Sequence, residues 1–205
     1  MRERAESDIS LAGLPRNKVL ATVVRLLETT YIRIGNAEYA RTNKSIEPLT
    51  TMRNRHVELS GSSLRFQLRV KRAHHTINVQ DRRLATIVKR CQELPVTNYF
   101  NIWTMTESAK RAIDSADVND YLREISGQDF TAKDFRTWAG TVLAAKTLLE
   151  AEDFETEAQA RQKVAQAIKY VSCPAGARTL LPSAANAMCI RRCWKLIRSK
   201  PRAKL

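Results

Sequence analysis

The residues of this sequence with the clearest chemical potential are basic side chains next to predicted turns and helices. Arg69, Lys71 and Arg72 crowd the end of a strand-like segment, a pattern typical of general phosphate binding. Arg33 follows an amphipathic helix pattern and Arg136 lies within another. Taken alone, Arg33 is typical of a solvated or salt-bridged residue and Arg136 of a helix-surface charge. These residues indicate a polyanionic partner but define no reaction.

The sequence offers little support for a metal site or a nucleotide-binding site. The four cysteines do not form a disulfide framework in a chain of 205 residues. Cys189 and Cys193 are near one another but lack companion ligands at zinc spacing, so Cys91, Cys173 and this pair are expected to be free thiols. A Gly-rich phosphate loop is also missing from the sequence. We therefore expect no metal and no cofactor.

The elements that must position the basic residues are predicted from periodicity. Apolar residues at spacings of three and four predict a helix from Leu14 to about Tyr31, with Pro15 suited to its first turn. Another helix is expected around 37–42. Alternation of apolar and polar residues then predicts strands over 56–60, 64–70 and 76–79. The link between the last two strands, 71–75, is expected to be the tight, basic end of a hairpin, in which His74 and His75 are ordinary hairpin residues.

Helical periodicity returns after the strands. Helices are predicted over 81–91, over 115–125 with Ser115 as the N-cap, from 131 to about 151, and over about 157–171. The apolar set of the long helix is expected to be Phe135, Trp138, Val142, Leu143 and Leu148. The predicted fold class is mainly α with a small three-stranded antiparallel β-sheet.

Three segments carry a resemblance to type IB DNA topoisomerases, in particular to their compact bacterial and poxvirus-like branch. The segments, which fall within about residues 10–150, are Glu28-Thr-Thr-Tyr-Ile-Arg33-Ile-Gly-Asn-Ala-Glu-Tyr39-Ala-Arg, the hairpin with Arg69-Val-Lys71 followed by Asp81-Arg-Arg-Leu-Ala, and Val118-Asn-Asp-Tyr-Leu-Arg-Glu-Ile-Ser-Gly through Lys133-Asp-Phe-Arg136-Thr-Trp-Ala-Gly. The resemblance implies the catalytic-domain fold that these enzymes share with tyrosine recombinases. Recombinases typically have a histidine where Lys133 stands, so the topoisomerase is favoured.

The resemblance also implies a site. In the family a tyrosine attacks a DNA phosphate, forming a 3′-phosphotyrosyl link and releasing a 5′-hydroxyl. Two arginines stabilise the added negative charge, and by resemblance these are Arg33 and Arg136. Lys71 corresponds to the hairpin lysine that protonates the leaving oxygen, although Val70 replaces the family's glycine and the turn is about one residue shorter. Arg69, Arg72 and Lys133 are expected to bind DNA.

The family's nucleophile segment has no counterpart here. That segment resembles Leu-Gly-Asn-Thr-Pro-Ala-Val-Cys-Arg-Lys-Cys-Tyr-Val-His-Pro, whereas the one tyrosine after Arg136 is Tyr170, in different surroundings. The reading frame can be shifted so that each new codon takes the last base of one codon and the first two bases of the next. In that frame the codons of Thr179 to Lys195 permit Asn-Thr-Pro-Ala-Val-Cys-Arg-Lys-Cys-Tyr-Val-His-Pro-Ala-Leu-Leu-Glu. Agreement over so many positions indicates a frameshift between about Val171 and Arg178.

Domain organisation and charge agree with this hypothesis. We expect residues 1–172 to be a catalytic domain lacking its nucleophile segment, and 173–205 to be an aberrant basic tail, disordered or non-native. The seven Lys and Arg residues of 184–205 supply half of the formal net charge of +14. The resemblance implies that family members carry a smaller β-rich domain ahead of this one, and we expect it to be missing here.

The expected partner is double-stranded DNA, bound by a soluble, cytoplasmic monomer (nucleoid-associated if bacterial) without a membrane segment. Two other functions stay open: a tyrosine recombinase-like enzyme, and a non-catalytic DNA-binding module.

Overall fold

The computed structural model describes residues 1–32, 34, 57–70, 73–93, 101–103 and 110–150, together with positions 156, 158–159, 162–163 and 165–166. Contacts divide the chain into two compact units, Met1–Ala132 and Lys133–Leu205. The helices are α1 (Arg2–Ile9), α2 (Arg16–Thr30), α3 (Arg82–Gln92), α4 (Ser115–Ser126) and α5 (Ala132–Glu150). The strands are β1 (Val57–Ser60), β2 (Ser63–Val70), β3 (Ala73–Gln80), β4 (Asn101–Trp103) and β5 (Lys110–Ala112).

The predicted fold class is confirmed: the described chain is mainly helical and contains a three-stranded antiparallel sheet in the order β1-β2-β3. Strand alternation divides this sheet into a buried apolar face and an exposed polar face. The buried face consists of Val57, Leu64, Phe66, Ile77 and Val79. On the exposed face Arg65 bridges two strands, with Glu58 at 3.4 Å and Asn78 at 3.3 Å. The short pair β4–β5 was not predicted.

Helix α2 is the centre of the first unit and contacts α1, α3, α4 and strand β3. The sequence predicted an amphipathic helix with one buried face. Instead Leu20, Ala21, Thr22 and Val23, which follow one another around the whole helix, are all fully buried. Burial on every side identifies a core helix. Its position is therefore fixed by packing in several directions.

Helix α1 was not predicted, because its sequence is mostly charged. It packs on α2 through Ala5 and Ile9, and the buried carboxylate of Asp8 accepts a hydrogen bond of 2.7 Å from the Tyr121 hydroxyl on α4. Ion pairs extend the contact: Arg2 reaches Glu28 on α2 at 2.8 Å. Charged side chains thus surround a small apolar seam that the periodicity of the sequence does not display.

Several local predictions were wrong. The N-cap of α4 is Asp114 rather than Ser115, and Asp114 forms a capping box with Asp117. Pro15 precedes the first helical residue of α2 instead of lying in its first turn. On α5, two members of the predicted apolar set, Trp138 and Val142, are 67% and 47% exposed. Periodicity located this helix but did not show which of its residues are covered.

Other predicted elements agree within the described residues or lie outside them. Strand β3 starts at Ala73, not at Thr76, because pairing with β2 continues to Val70 opposite Ala73. The backbone is helical at 158–159, 162–163 and 165–166, inside the predicted helix 157–171. The helix expected at 37–42 and the whole of the segment expected to be an aberrant tail, 173–205, lie outside the described residues.

Candidate active site

Of the three predicted catalytic residues, Arg136 is the one that the structure describes. Arg33 and Lys71 lie outside the described residues, as does Arg72, and Arg69 is described for its backbone alone. The local structure before Arg33 and on both sides of Lys71 is nevertheless defined. Each predicted residue is therefore described by the element that leads to it.

Arg136 is buried on α5, with 8% of its surface exposed, and its Nε and NH2 nitrogens are shielded from solvent. Removing a guanidinium from water costs several kcal/mol, so arginines are rarely buried unless they are paired. Taken alone, the sequence had indicated a helix-surface charge, and that interpretation was wrong. Three residues earlier, Lys133 is exposed. The helix thus begins with a solvent-accessible cation and continues to a shielded one.

Ala132, the last residue of the first unit and the first residue of α5, is hydrogen-bonded to α4. Helix α4 begins at the Asp114 cap and ends at Gly127, which adopts the left-handed conformation with φ 67° that glycine accommodates at helix ends. The amide N–H of Ala132 then donates to the side-chain oxygen of Asn119 at 3.0 Å. This bond satisfies one of the N–H groups that the first turn of a helix leaves without an intrahelical partner. Four residues further along the same helix lies Arg136.

The segment that leads to Arg33 leaves α2 through a compact turn. Tyr31 has φ 55° and ψ 21°, a left-handed conformation, and its N–H donates to the Leu27 carbonyl at 2.9 Å. The Thr30 hydroxyl donates to the Leu26 carbonyl at 2.6 Å and accepts from the Ile32 N–H at 3.2 Å. Thr30 and Ile32 are both buried. The residue directly before Arg33 is therefore fixed by packing and by hydrogen bonding.

The strands on either side of Lys71 are paired to the end of the hairpin. Arg69 is opposite His74, and Val70 is opposite Ala73. This register leaves Lys71 and Arg72 as the two residues between the paired strands. A two-residue connection is the commonest hairpin length, and it is shorter than the link of residues 71–75 that the sequence predicted.

Two other classes of site find no support in the described part of the chain. It contains no cluster of three or more His, Cys, Asp and Glu side chains able to hold a metal ion. Cys91 is buried, and burial raises the pKa of its thiol to about 12, as expected for an unreactive core cysteine. Among the described helices, none is long and apolar enough to cross a membrane.

Comparison with known proteins now defines the class. The family described as "Eukaryotic DNA topoisomerase I, catalytic core" matches residues 1–190. The chain belongs to this family, the type IB topoisomerase catalytic core, and that prediction is confirmed. Its relatives include a protein of Acanthamoeba polyphaga mimivirus, "DNA topoisomerase 1B", which is 26% identical over 140 residues, 65% of this chain and 41% of that protein. The chain thus spans less than half of that relative's length.

Sequence reasoning missed two features of the first unit. The left-handed residue at the end of α2 is a tyrosine, so the glycine that usually signals such a conformation is absent. The hydrogen bond between Asp8 and Tyr121 joins residues more than a hundred positions apart in the sequence. No periodicity could have indicated that contact.

Proposed function

We propose that this chain is a type IB topoisomerase catalytic domain that binds double-stranded DNA and has lost the ability to cleave it. In the intact enzyme, a tyrosine would nick one strand through a 3′-phosphotyrosyl link, and supercoils would relax before resealing. The observation that supports this proposal most is the family match, together with a buried arginine at the position where the family motif requires one. An isomerase without its nucleophile would retain a phosphate site.

In this proposal Arg33 and Arg136 bind the non-bridging oxygens of one DNA phosphate. A guanidinium suits this task because it stays charged and donates paired hydrogen bonds in a fixed plane. A shielded guanidinium such as that of Arg136 also interacts more strongly with an anion than an exposed one does, because less water screens the charge. Burial is thus a feature that helps to stabilise the transition state.

Lys71 is proposed as the general acid that protonates the leaving 5′-oxygen. Lys71 lies in the two-residue connection between paired strands, and a hairpin end suits a group that must reach a DNA phosphate. Arg69, Arg72 and Lys133 are proposed to bind neighbouring phosphates, which positions the duplex without reading its sequence. No metal or cofactor enters this scheme.

The missing nucleophile is proposed to result from a frameshift, as the codons of Thr179 to Lys195 suggest. The family match continues to residue 190, so it includes part of the segment expected to be aberrant. Sequencing the encoding nucleotides decides the matter. Codons that spell Cys-Arg-Lys-Cys-Tyr-Val-His-Pro in the shifted frame support a broken or misread copy, and any other spelling removes the frameshift.

The binding proposal is tested with a fluorescent duplex and anisotropy over a range of salt concentrations. Arg33→Ala and Arg136→Ala are each expected to weaken binding and to lower the salt slope by about one. Arg123→Ala is the matched control, because Arg123 is an exposed arginine paired with Asp120 and Asp129, both at 2.8 Å. Equal binding by all three variants and the unmodified chain would contradict the proposed phosphate site.

A further inference from the structure

The turn that ends α2 depends on one side-chain hydroxyl. Thr30 is fully buried, and its oxygen bonds both the last turn of the helix, through the Leu26 carbonyl, and the chain that leaves it, through the Ile32 N–H. In the helix interior a threonine hydroxyl usually makes only the first of these bonds. Here the second bond ties the departing backbone back to the helix.

The same turn holds a residue in an unfavourable conformation. A non-glycine residue in the left-handed region is destabilised by roughly 1–2 kcal/mol, and Tyr31 is such a residue. A conformation of this kind persists where its surroundings over-determine it, which occurs most often near functional sites. The bond from Ile32 to Thr30 spans Tyr31 and closes the turn around it. Arg33 is the next residue of the chain.

We propose that Thr30 is a positioning residue for Arg33. Its hydroxyl fixes the direction in which the backbone leaves α2, as far as Ile32, the residue before Arg33. This inference rests on the proposed function, because it requires that Arg33 binds phosphate. Because Leu26, Leu27 and Thr30 are fully buried, the end of α2 is anchored in the core of the unit, and Ile32, the residue before Arg33, is buried with it.

The chain offers a matched control on the same helix. Thr22 is also fully buried, and its hydroxyl donates to the carbonyl of Lys18, four residues earlier, at 2.8 Å. Thr30→Val and Thr22→Val therefore remove the same group from the same helix at equal burial. They differ in one respect: the Thr30 hydroxyl also accepts a hydrogen bond from the residue that precedes Arg33. Thr30→Ser keeps the hydroxyl and serves as the rescue variant.

The experiment is a double-mutant cycle on duplex affinity, measured by anisotropy on the full chain well below the lowest unfolding midpoint. Thr30→Val is expected to weaken binding by about threefold or more, and to have no effect when Arg33→Ala is already present. Thr22→Val and Thr30→Ser are expected to bind like the unmodified chain.

The outcomes distinguish a failure of the positioning role of Thr30 from a failure of the proposed phosphate site. If Thr30→Val weakens binding equally with and without Arg33, or leaves it unchanged, the positioning role is wrong while the phosphate site stands. If Arg33→Ala has no effect, the proposed role of Arg33 fails and the inference fails with it. Should Thr30→Val not fold, weakened binding by Thr30→Ser would still contradict the inference, because that variant retains the hydroxyl.

Discussion

Replacing Tyr121 with phenylalanine removes one oxygen atom from the contact that joins α1 to α4. The Tyr121 side chain is fully buried, and its hydroxyl donates to Asp8 at 2.7 Å. A hydrogen bond to a charged group contributes roughly 1.5–3 kcal/mol. Asp8 would keep its ion pair with Arg4, but that pair is long, at 3.4 Å, and the Arg4 side chain is 57% exposed. We expect the substitution to lower the free energy of unfolding by about 2 kcal/mol.

Urea denaturation at pH 8 measures this loss as a lower midpoint at an unchanged m-value. Asp8→Asn and the double variant complete a cycle that isolates the pair. The energies of the two single substitutions should not add, because each removes the same hydrogen bond. Additive effects, or a loss below about 0.5 kcal/mol, would refute the claim that this bond holds α1 in place.

The same variant has a defined pH dependence. Burial, then the hydrogen bond to Asp8 and its negative charge, raise the pKa of Tyr121 above the ordinary value of 10.0. The phenol therefore stays neutral in the folded state, while in the unfolded chain it ionises near pH 10. The contribution of the Tyr121 hydroxyl to the free energy of unfolding is therefore fully present below pH 10 and is lost as the pH rises further. The stability difference between the two proteins should shrink by up to about 1.4 kcal/mol per pH unit above that point.

Three further predictions concern the elements around the site. Asp114→Ala should destabilise the protein by about 1 kcal/mol in urea denaturation, because Asp114 caps α4, whereas equal losses for Asp114→Ala and Ser115→Ala would reject that cap. Cys91, with its pKa raised to about 12, should resist iodoacetamide at pH 8 until the protein unfolds; rapid labelling of its tryptic peptide in the native protein would show an accessible thiol. Tyr31→Ile should cost about 1–2 kcal/mol more than Tyr31→Asn in urea denaturation, since branched residues tolerate φ 55° poorly, and equal stabilities would argue against the left-handed turn.

Much of the fold was predictable because its periodic segments agree with their environment. The alternation of 57–60 and 63–70 matches a sheet with one buried face, and the helices at 82–92 and 115–126 display their apolar residues at the expected spacing. Helix α2 was located correctly, but its all-round burial was not, because Thr22 and Lys18 are polar and are buried only through local hydrogen bonds. The burial of these two residues depends on tertiary neighbours, which periodicity does not register.

The candidate site was less predictable. The resemblance of its motifs to a known family selected Arg136, whereas composition and spacing alone indicated a surface charge. The burial of Arg136 is a tertiary property, which the periodicity of the sequence does not display. The turn at Tyr31 left no signal in the sequence for the same reason: its conformation is imposed by Thr30 and Ile32 rather than by the intrinsic preference of tyrosine.

The central claim is that this chain is a type IB catalytic domain from which the nucleophile segment is missing. Covalent trapping on a nicked suicide duplex tests it most directly, with this chain compared with a version whose frame is restored by one inserted base between the codons of Val171 and Arg178. We expect no protein–DNA adduct with the present chain, and an adduct through the restored tyrosine with the frame-restored version. An adduct formed by the present chain would contradict it, since that result would require a nucleophile elsewhere in the sequence.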